Sequence, residues 1–407
     1  MKDRIFKLIK KEEKRQKEVL EMIPSENYAS KEVREALGSV LVNKYSEGYP
    51  GRRYYQGNSV IDEVETLAIE GAKKLFKVPF ANVQALSGAA ANAAIYFALL
   101  NPGEKIMGMV LSSGGHLTHG HPKITFSGKY FTSVQYSVNK EGWLDYEAIE
   151  RLALAEKPKI IVCGYTAYPR IIDFKKFGQI ADKVGAFLLA DISHIAGLIV
   201  AGVHPTPVPY VDVIMSTTHK TLRGPRGALL LVTDKGLRKD SEMGKKIDRA
   251  VFPGLQGGPH DNQTAAIAVC LTEAVTPAFK KYSQQIVKNA QALAEKLKKF
   301  GFNLVTGGTD NHLMVVDLRN KESDGAKAAI LLEEAGIVVN KNTIPFDPNP
   351  PANPSGIRLG TPAITTRGMK EKEMIKIAGW IDAVVAGVDP KKINKEIKNM
   401  CKKFPVP

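Results

Sequence analysis

The hydrophobic residues of this chain follow two periods, and the places where one gives way to the other outline a fold. Largely apolar runs occupy 159–163, 185–190, 211–215 and 228–232, interrupted only by Lys159 at one edge and by Asp212. Short runs rich in Ile, Leu and Val predict strands covered on both faces, as in parallel sheets. Between the first two, 174–184 spaces Phe174, Phe177, Ile180, Ala181 and Val184 three and four apart, which predicts a crossover helix. Repeated strand-helix-strand units predict an α/β fold, a mainly parallel sheet with helices on both sides. Further helical patterns cover 31–41, 62–76 and 93–100, with polar breaks at 23–28 and 43–57. A long helical pattern over 278–300 precedes alternating strands such as 313–316 and helices such as 326–335, predicting a smaller α+β domain. The organisation expected is an N-terminal helical arm (1–20), a large domain (21–277) and a small C-terminal domain (278–407).

The polar segments between these runs carry the candidate chemistry. Loop 216–227 joins two apolar runs and holds Lys220, while the run at 185–190 ends in Asp191. Open α/β sheets place their sites at the C-terminal ends of strands. A lysine that can form a Schiff base and a carboxylate that keeps a pyridine nitrogen protonated are the two groups pyridoxal phosphate needs most. Each alone is weak evidence, since loop lysines are usually solvated and strand-end aspartates commonly cap the next helix. The small residues Ser87, Gly88 and Ala89 precede a helical run, where open backbone N–H groups bind phosphate. His116, His119 and His121 invite a metal reading, but their spacing is not the i, i+4 of a zinc protease. The adjoining glycines point instead to backbone lying close to a flat ligand. Segment 43–57 gathers Tyr45, Tyr49, Tyr54 and Tyr55 around Glu47. Such a segment can stack on a planar ligand or serve as a protein interface, and both readings stay open. Residues 252–260 form a second glycine-rich turn, and Arg358 is a candidate for bidentate capture of a carboxylate.

Composition narrows the picture. With 407 residues, 44% hydrophobic and 24% charged, the chain has the make-up of an ordinary globular protein. The net charge of +15 is concentrated at the lysine-rich ends, 1–17 and 391–403, and no nucleic-acid-binding signature accompanies it. Cys163, Cys270 and Cys401 lie far apart, which argues against a disulfide framework and a structural zinc site. No secretory leader or spanning apolar stretch is present, so a cytoplasmic protein is expected.

Six longer motifs then act together. Ile-Pro-Ser-Glu-Asn-Tyr at 23–28, the Glu-Gly-Tyr-Pro-Gly-Arg-Arg-Tyr-Tyr run from Glu47 and Gly-Gly-His-Leu-Thr-His-Gly from Gly114 are followed by three more. These are Ser-Thr-Thr-His-Lys-Thr-Leu-Arg-Gly-Pro-Arg-Gly from Ser216, Phe-Pro-Gly-Leu-Gln-Gly-Gly-Pro from Phe252 and Gly-Ile-Arg-Leu-Gly-Thr-Pro from Gly356. In this order, over nearly the whole chain, the sequence resembles the serine hydroxymethyltransferases. The resemblance implies a fold-type I pyridoxal phosphate enzyme, like aspartate aminotransferase, with a mostly parallel seven-stranded sheet in its large domain. The implied activity interconverts serine and glycine and transfers the hydroxymethyl carbon to tetrahydrofolate, giving 5,10-methylenetetrahydrofolate. It also implies a homodimer with shared active sites; the residues themselves point to no metal site and no membrane span, and a nucleic-acid partner is not expected.

Residue by residue, the resemblance makes Lys220 the Schiff-base lysine, Asp191 the partner of the pyridine nitrogen and His116 the ring stacked on the cofactor. Ser87, Gly88 and Ala89 would surround the phosphate, with His219 nearby and Gly258 supplied by the neighbouring subunit; Gly257 is a further cofactor-binding candidate. Thr166 and His194 would approach the ring and its phenolic oxygen. Arg358 and Ser25, with Arg226, would bind the amino acid. Glu47 would be the acid/base carboxylate, delivered with Tyr45 and Tyr55 across the dimer interface. For the folate the matching positions are Glu47, Tyr54, Leu111, Gly115, Leu117 and Asn342. Ala89 departs from the serine usual in this family, so slightly weaker phosphate binding is expected. Compactness favours a dimer over a tetramer. Two rivals are a threonine-type aldolase of the same fold and a catalytically silent RNA-binding relative.

Overall fold

The computed structural model describes all residues, 1–407. Its centre is a seven-stranded sheet of β1 (Phe80–Asn82), β2 (Lys105–Met109), β3 (Thr132–Tyr136), β4 (Ile160–Cys163), β5 (Phe187–Asp191), β6 (Val213–Thr217) and β7 (Ala228–Val232), in the spatial order β1-β7-β6-β5-β4-β2-β3. Strands β2 to β6 run parallel to one another, whereas β7 is antiparallel to both of its neighbours, β6 and β1. The sheet is therefore mostly parallel, as the resemblance implies, with one reversed strand. Successive residues point to opposite faces: Ile161, Leu188, Ile214 and Leu229 join one apolar core, and Ile160, Leu189, Val213 and Leu230 the other. Coverage on both sides is why these strands read as continuous apolar runs rather than alternating ones.

Local signals set the element ends. In the crossover helix Phe174–Val184, the Asp173 side chain accepts from the Lys176 N–H at 3.0 Å and Gly185 terminates it at φ 72°, so the chain turns at once into β5. Three expectations shift. The helix expected over 93–100 spans Gly88–Leu99, because the Ser87 hydroxyl accepts from the Ala90 N–H at 3.3 Å and starts it a turn earlier. The pattern at 31–41 yields only Lys31–Leu37, broken at Gly38 before a short turn at Val40–Asn43. The run at 211–215 becomes Val213–Thr217, pairing in register with β7.

A second, antiparallel sheet comprises β8 (Asn303–Leu304), β9 (Leu313–Asp317), β10 (Asn340–Asn342) and β11 (Gly356–Gly360), in the order β8-β9-β11-β10. It packs under helices Gly325–Ala335, Glu371–Val385 and Pro390–Lys403 around its own core, which includes Leu20 and Met22. Leu20 and Glu21 pair in parallel with Ile337 and Val338, so the start of the chain is stitched to the C-terminal part. Helix Pro277–Lys299 spans the two regions, with Phe279 and Ile286 in the first core and Ala290, Leu293 and Leu297 in the second. The N-terminal helix Lys2–Glu18 buries no residue, and Arg367 anchors its end through Nη1 to the Val19 carbonyl at 2.6 Å. No helix is long and apolar enough to cross a membrane.

Candidate active site

A cavity of about 520 Å³ opens where the parallel strands end, between the two sheets. Lys220 enters it from a loop that turns between the antiparallel strands β6 and β7. The loop is closed by Gly224 N–H to the Thr218 carbonyl at 2.8 Å and by Thr218 Oγ1 to the Pro225 carbonyl at 2.6 Å. Asn27 donates to the Lys220 carbonyl at 2.9 Å, and Arg223, held at φ 63°, lies 4.4 Å over the Tyr282 ring. A side chain at 224 would meet Cys270 Sγ at 2.6 Å, which explains the glycine there. Burial lowers the Lys220 amine to about 8; Asp191 opposes that shift and Arg358 and Arg226 add to it. At pH 7 this lysine is still mostly protonated, but about a tenth of it is free amine, far more than an ordinary surface lysine has.

Asp191 ends β5 and faces the same cavity. Its Oδ2 takes a hydrogen bond from His119 Nε2 at 2.9 Å and from Asn92 Nδ2 at 3.1 Å; its Oδ1 takes one from Ser193 Oγ at 2.6 Å. Burial by itself raises a carboxyl, but the hydrogen bond from His119, with the charge of the nearby Lys220, outweighs it and holds Asp191 well below the usual carboxylate range. His116 is fixed by Thr118, whose Oγ1 lies 2.8 Å from its Nδ1, and burial lowers its imidazole to about 4, so it is neutral at pH 7.

The N-terminus of helix Gly88–Leu99 forms another wall. Gly88 and Ala89, as its first residues, have no intrahelical acceptor for their N–H groups. A Cβ at Gly88 would stand 2.7 Å from Thr217 Cγ2, so glycine keeps the backbone accessible. Thr217 Oγ1 and His219 Nδ1 are buried beside it without partners. Opposite, Arg358 projects from β11 of the second sheet. Its Nε bonds Asn340 Oδ1 at 3.0 Å and its Nη1 the Thr166 carbonyl, which leaves Nη2 without a protein partner. Ser25, Leu111, Gly115, Leu117, Thr166, His194, Arg226 and Asn342 also line the cavity.

Tyr45, Glu47, Tyr54, Tyr55, Gly257 and Gly258 do not. They form a separate surface constellation: Tyr45 Oη lies 3.2 Å from Glu47 Oε1, the Tyr45 and Tyr55 rings meet edge-on at 5.1 Å, and a Cβ on Gly257 or Gly258 would touch Glu47 or Tyr45. Within one chain, then, the expected residues divide into two sets. Sequence reasoning missed the groups that hold Asp191. Asn92 could have been found, since it is a polar residue one turn after Gly88 in an alanine-rich helix and so on the same face. His119 and Ser193 carried no local sign of their role.

A lysine of lowered basicity, an ionised strand-end carboxylate and an open helix N-terminus with unpartnered hydroxyl and imidazole groups fit an anionic aldehyde cofactor with a basic ring. Fold and site together define a fold-type I pyridoxal phosphate enzyme. The chain matches the serine hydroxymethyltransferase family over residues 1–381, and it belongs to that family. It is 54% identical over 407 residues to a serine hydroxymethyltransferase of Desulfotalea psychrophila, covering 99% of this chain and 94% of that one. It is likewise 54% identical over 414 residues to one of Acidothermus cellulolyticus, covering 99% and 95%. The family uses pyridoxal phosphate and tetrahydrofolate.

Proposed function

We propose that this chain interconverts serine and glycine, passing the hydroxymethyl carbon to tetrahydrofolate, with Lys220 as the residue that binds pyridoxal phosphate covalently. The observation that carries the site assignment is the meeting of Lys220, Asp191 and Arg358, from three separate elements, in one cavity. Pyridoxal phosphate, when bound, supplies an aldehyde for amines and an electron-poor ring that accepts electrons released at the substrate's Cα. Asp191, ionised and fixed by His119, Asn92 and Ser193, would hold a proton at the ring nitrogen. The Gly88 and Ala89 N–H groups, Thr217 and His219 would receive the phosphate, and neutral His116 would cover the ring. Arg358 Nη2, with Ser25, would bind the amino-acid carboxylate and so orient the bonds at Cα. Lys220, with its lowered proton affinity, can accept and return a proton there near neutral pH.

Glu47, Tyr45, Tyr55 and Gly258 are proposed to complete the neighbouring subunit's site in a homodimer. Their clustering on a surface of their own, outside this chain's cavity, supports that reading. Leu111, Leu117, Asn342 and the partner's copy of the tyrosine segment would border the pterin. The same reading keeps the division between a large domain to 277 and a small one from 278, supported by two separate apolar cores. It also keeps a cytoplasmic location, in line with three unpaired, buried cysteines. The test is subunit complementation. Lys220→Ala and Glu47→Gln proteins, each inactive, are mixed and refolded together. Half the dimers are then hybrids with one intact site, so about a quarter of wild-type serine cleavage returns. No recovery in verified hybrids refutes the shared site.

A further inference from the structure

Two buried imidazoles meet behind the cavity, and the second has no task in the site described so far. His194, three residues after Asp191, lines the cavity; His312, immediately before β9, is 0% exposed. His194 Nδ1 and His312 Nε2 are 3.2 Å apart, with ring centroids separated by 5.5 Å and planes inclined by 29°, so the rings meet end to end. Burial, reinforced by the charges of Lys220 and Arg358, holds both far below the ordinary imidazole range, His312 at about 3. Both rings are therefore neutral at pH 7, and one hydrogen lies between the facing nitrogens.

Only two arrangements satisfy that contact. If His312 donates, its Nδ1 is bare and His194 carries its own hydrogen on Nε2. If His194 donates, His312 carries a hydrogen on Nδ1 and His194 Nε2 is bare. The atom that separates them is His312 Nδ1, which is buried and has no partner. A buried N–H without an acceptor is rarer in proteins than an unsatisfied acceptor, which favours the bare nitrogen at that position.

We infer that His312 is a positioning residue that donates to His194 Nδ1, fixes His194 in its Nε2–H tautomer and so gives the cavity a hydrogen-bond donor. The backbone holds His312 for this from two sides. Its carbonyl accepts from the Thr361 N–H at 3.1 Å, while the adjacent Asn311 donates to the Tyr168 carbonyl at 3.0 Å. The histidine is thereby tied both to the segment following β11 and to the loop after β4. His194 Nε2 has no protein partner, and a donor there suits an anionic oxygen such as the phenolate of pyridoxal phosphate. In that respect the inference rests on the function proposed above.

The experiment labels the cofactor-free protein with ¹⁵N-histidine and reads each imidazole tautomer by long-range ¹H–¹⁵N correlation, with His194 assigned by the loss of its signals in His194→Gln. His194 is expected to show a protonated Nε2 and a bare Nδ1. His312→Gln, whose amide can still donate, retains that tautomer; His312→Leu loses it. In the loaded enzyme, His312→Leu lowers kcat for serine cleavage about tenfold to a hundredfold, as the loss of outer partners does at ligating histidines, while KM for serine stays within about twofold. A bare Nε2 at His194 in the wild-type protein overturns the inference without recourse to any variant. An unchanged His194 tautomer in a folded His312→Leu protein also overturns it. Since the tautomer is read without cofactor or turnover, absence of serine cleavage counts against the proposed function and leaves this measurement standing.

Discussion

Replacing Lys220 by Met stabilises the cofactor-free protein near neutral pH while abolishing its proposed activity. The amine sits in a cavity wall where burial lowers it from an ordinary 10.5 to about 8. In the unfolded chain it returns to its ordinary value, so folding releases or strains a proton. The sign follows from linkage: below about pH 8 the lysine is protonated in both states and the folded state bears the full penalty. As pH rises from 8 to 10.5 the penalty fades, because the folded protein has already released the proton that the unfolded chain still binds. The displacement from 10.5 to about 8 corresponds to about 3 kcal/mol, an upper bound because water in the cavity screens a partly open amine. Met has a similar length and no charge, so the variant removes the penalty and retains most of the packing. The assay is urea unfolding of cofactor-free wild type and Lys220→Met at equal protein concentration, at pH 6, 7, 9 and 10. The variant is expected to be more stable by about 1–3 kcal/mol at pH 6 and 7, with the difference closing toward pH 10. A variant no more stable than wild type at pH 7, or a difference independent of pH, refutes the reasoning.

Three further outcomes test other parts of the site. Ala89→Ser adds a hydroxyl at the helix N-terminus and should tighten pyridoxal phosphate binding by about threefold to tenfold, worth about one neutral hydrogen bond, in equilibrium dialysis; an unchanged Kd argues against a phosphate at this end. Glu47→Gln should leave cofactor retention at the wild-type level and slow serine cleavage by a hundredfold or more, roughly the contribution of a general acid/base, and normal turnover removes Glu47 from the mechanism. His119→Leu takes away the 2.9 Å bond to buried Asp191 and should weaken cofactor binding about tenfold to a hundredfold in equilibrium dialysis, since bonds to charged groups contribute about 1.5–3 kcal/mol; an unchanged Kd removes His119 from the support of Asp191.

Much of this protein was legible from the order of its residues. The apolar runs ending at Cys163 and Asp191 marked strands β4 and β5, because a residue covered on both faces of a sheet must be apolar wherever it points. Asp173 and Gly185 punctuated the helix between them. The motifs around Lys220, Gly115 and Arg358 named the family before any geometry was known. Strands β2 and β3 went unread, since Lys105-Ile-Met-Gly-Met and Thr132-Ser-Val-Gln-Tyr mix polar and small residues into short segments. The reversal of β7 was equally hidden, for periodicity records what covers a residue and not which way its strand runs.

Only tertiary structure brought Arg358 from the second sheet to face Lys220, set His119 against Asp191 and joined His312 to His194. The same structure kept Glu47 away from this chain's own cavity. These relations depend on which distant segments become neighbours when two cores close, and that choice is made by the sum of packing over both sheets. A local pattern of side chains fixes a residue's burial and its element; distances between elements are a property of the whole folded chain.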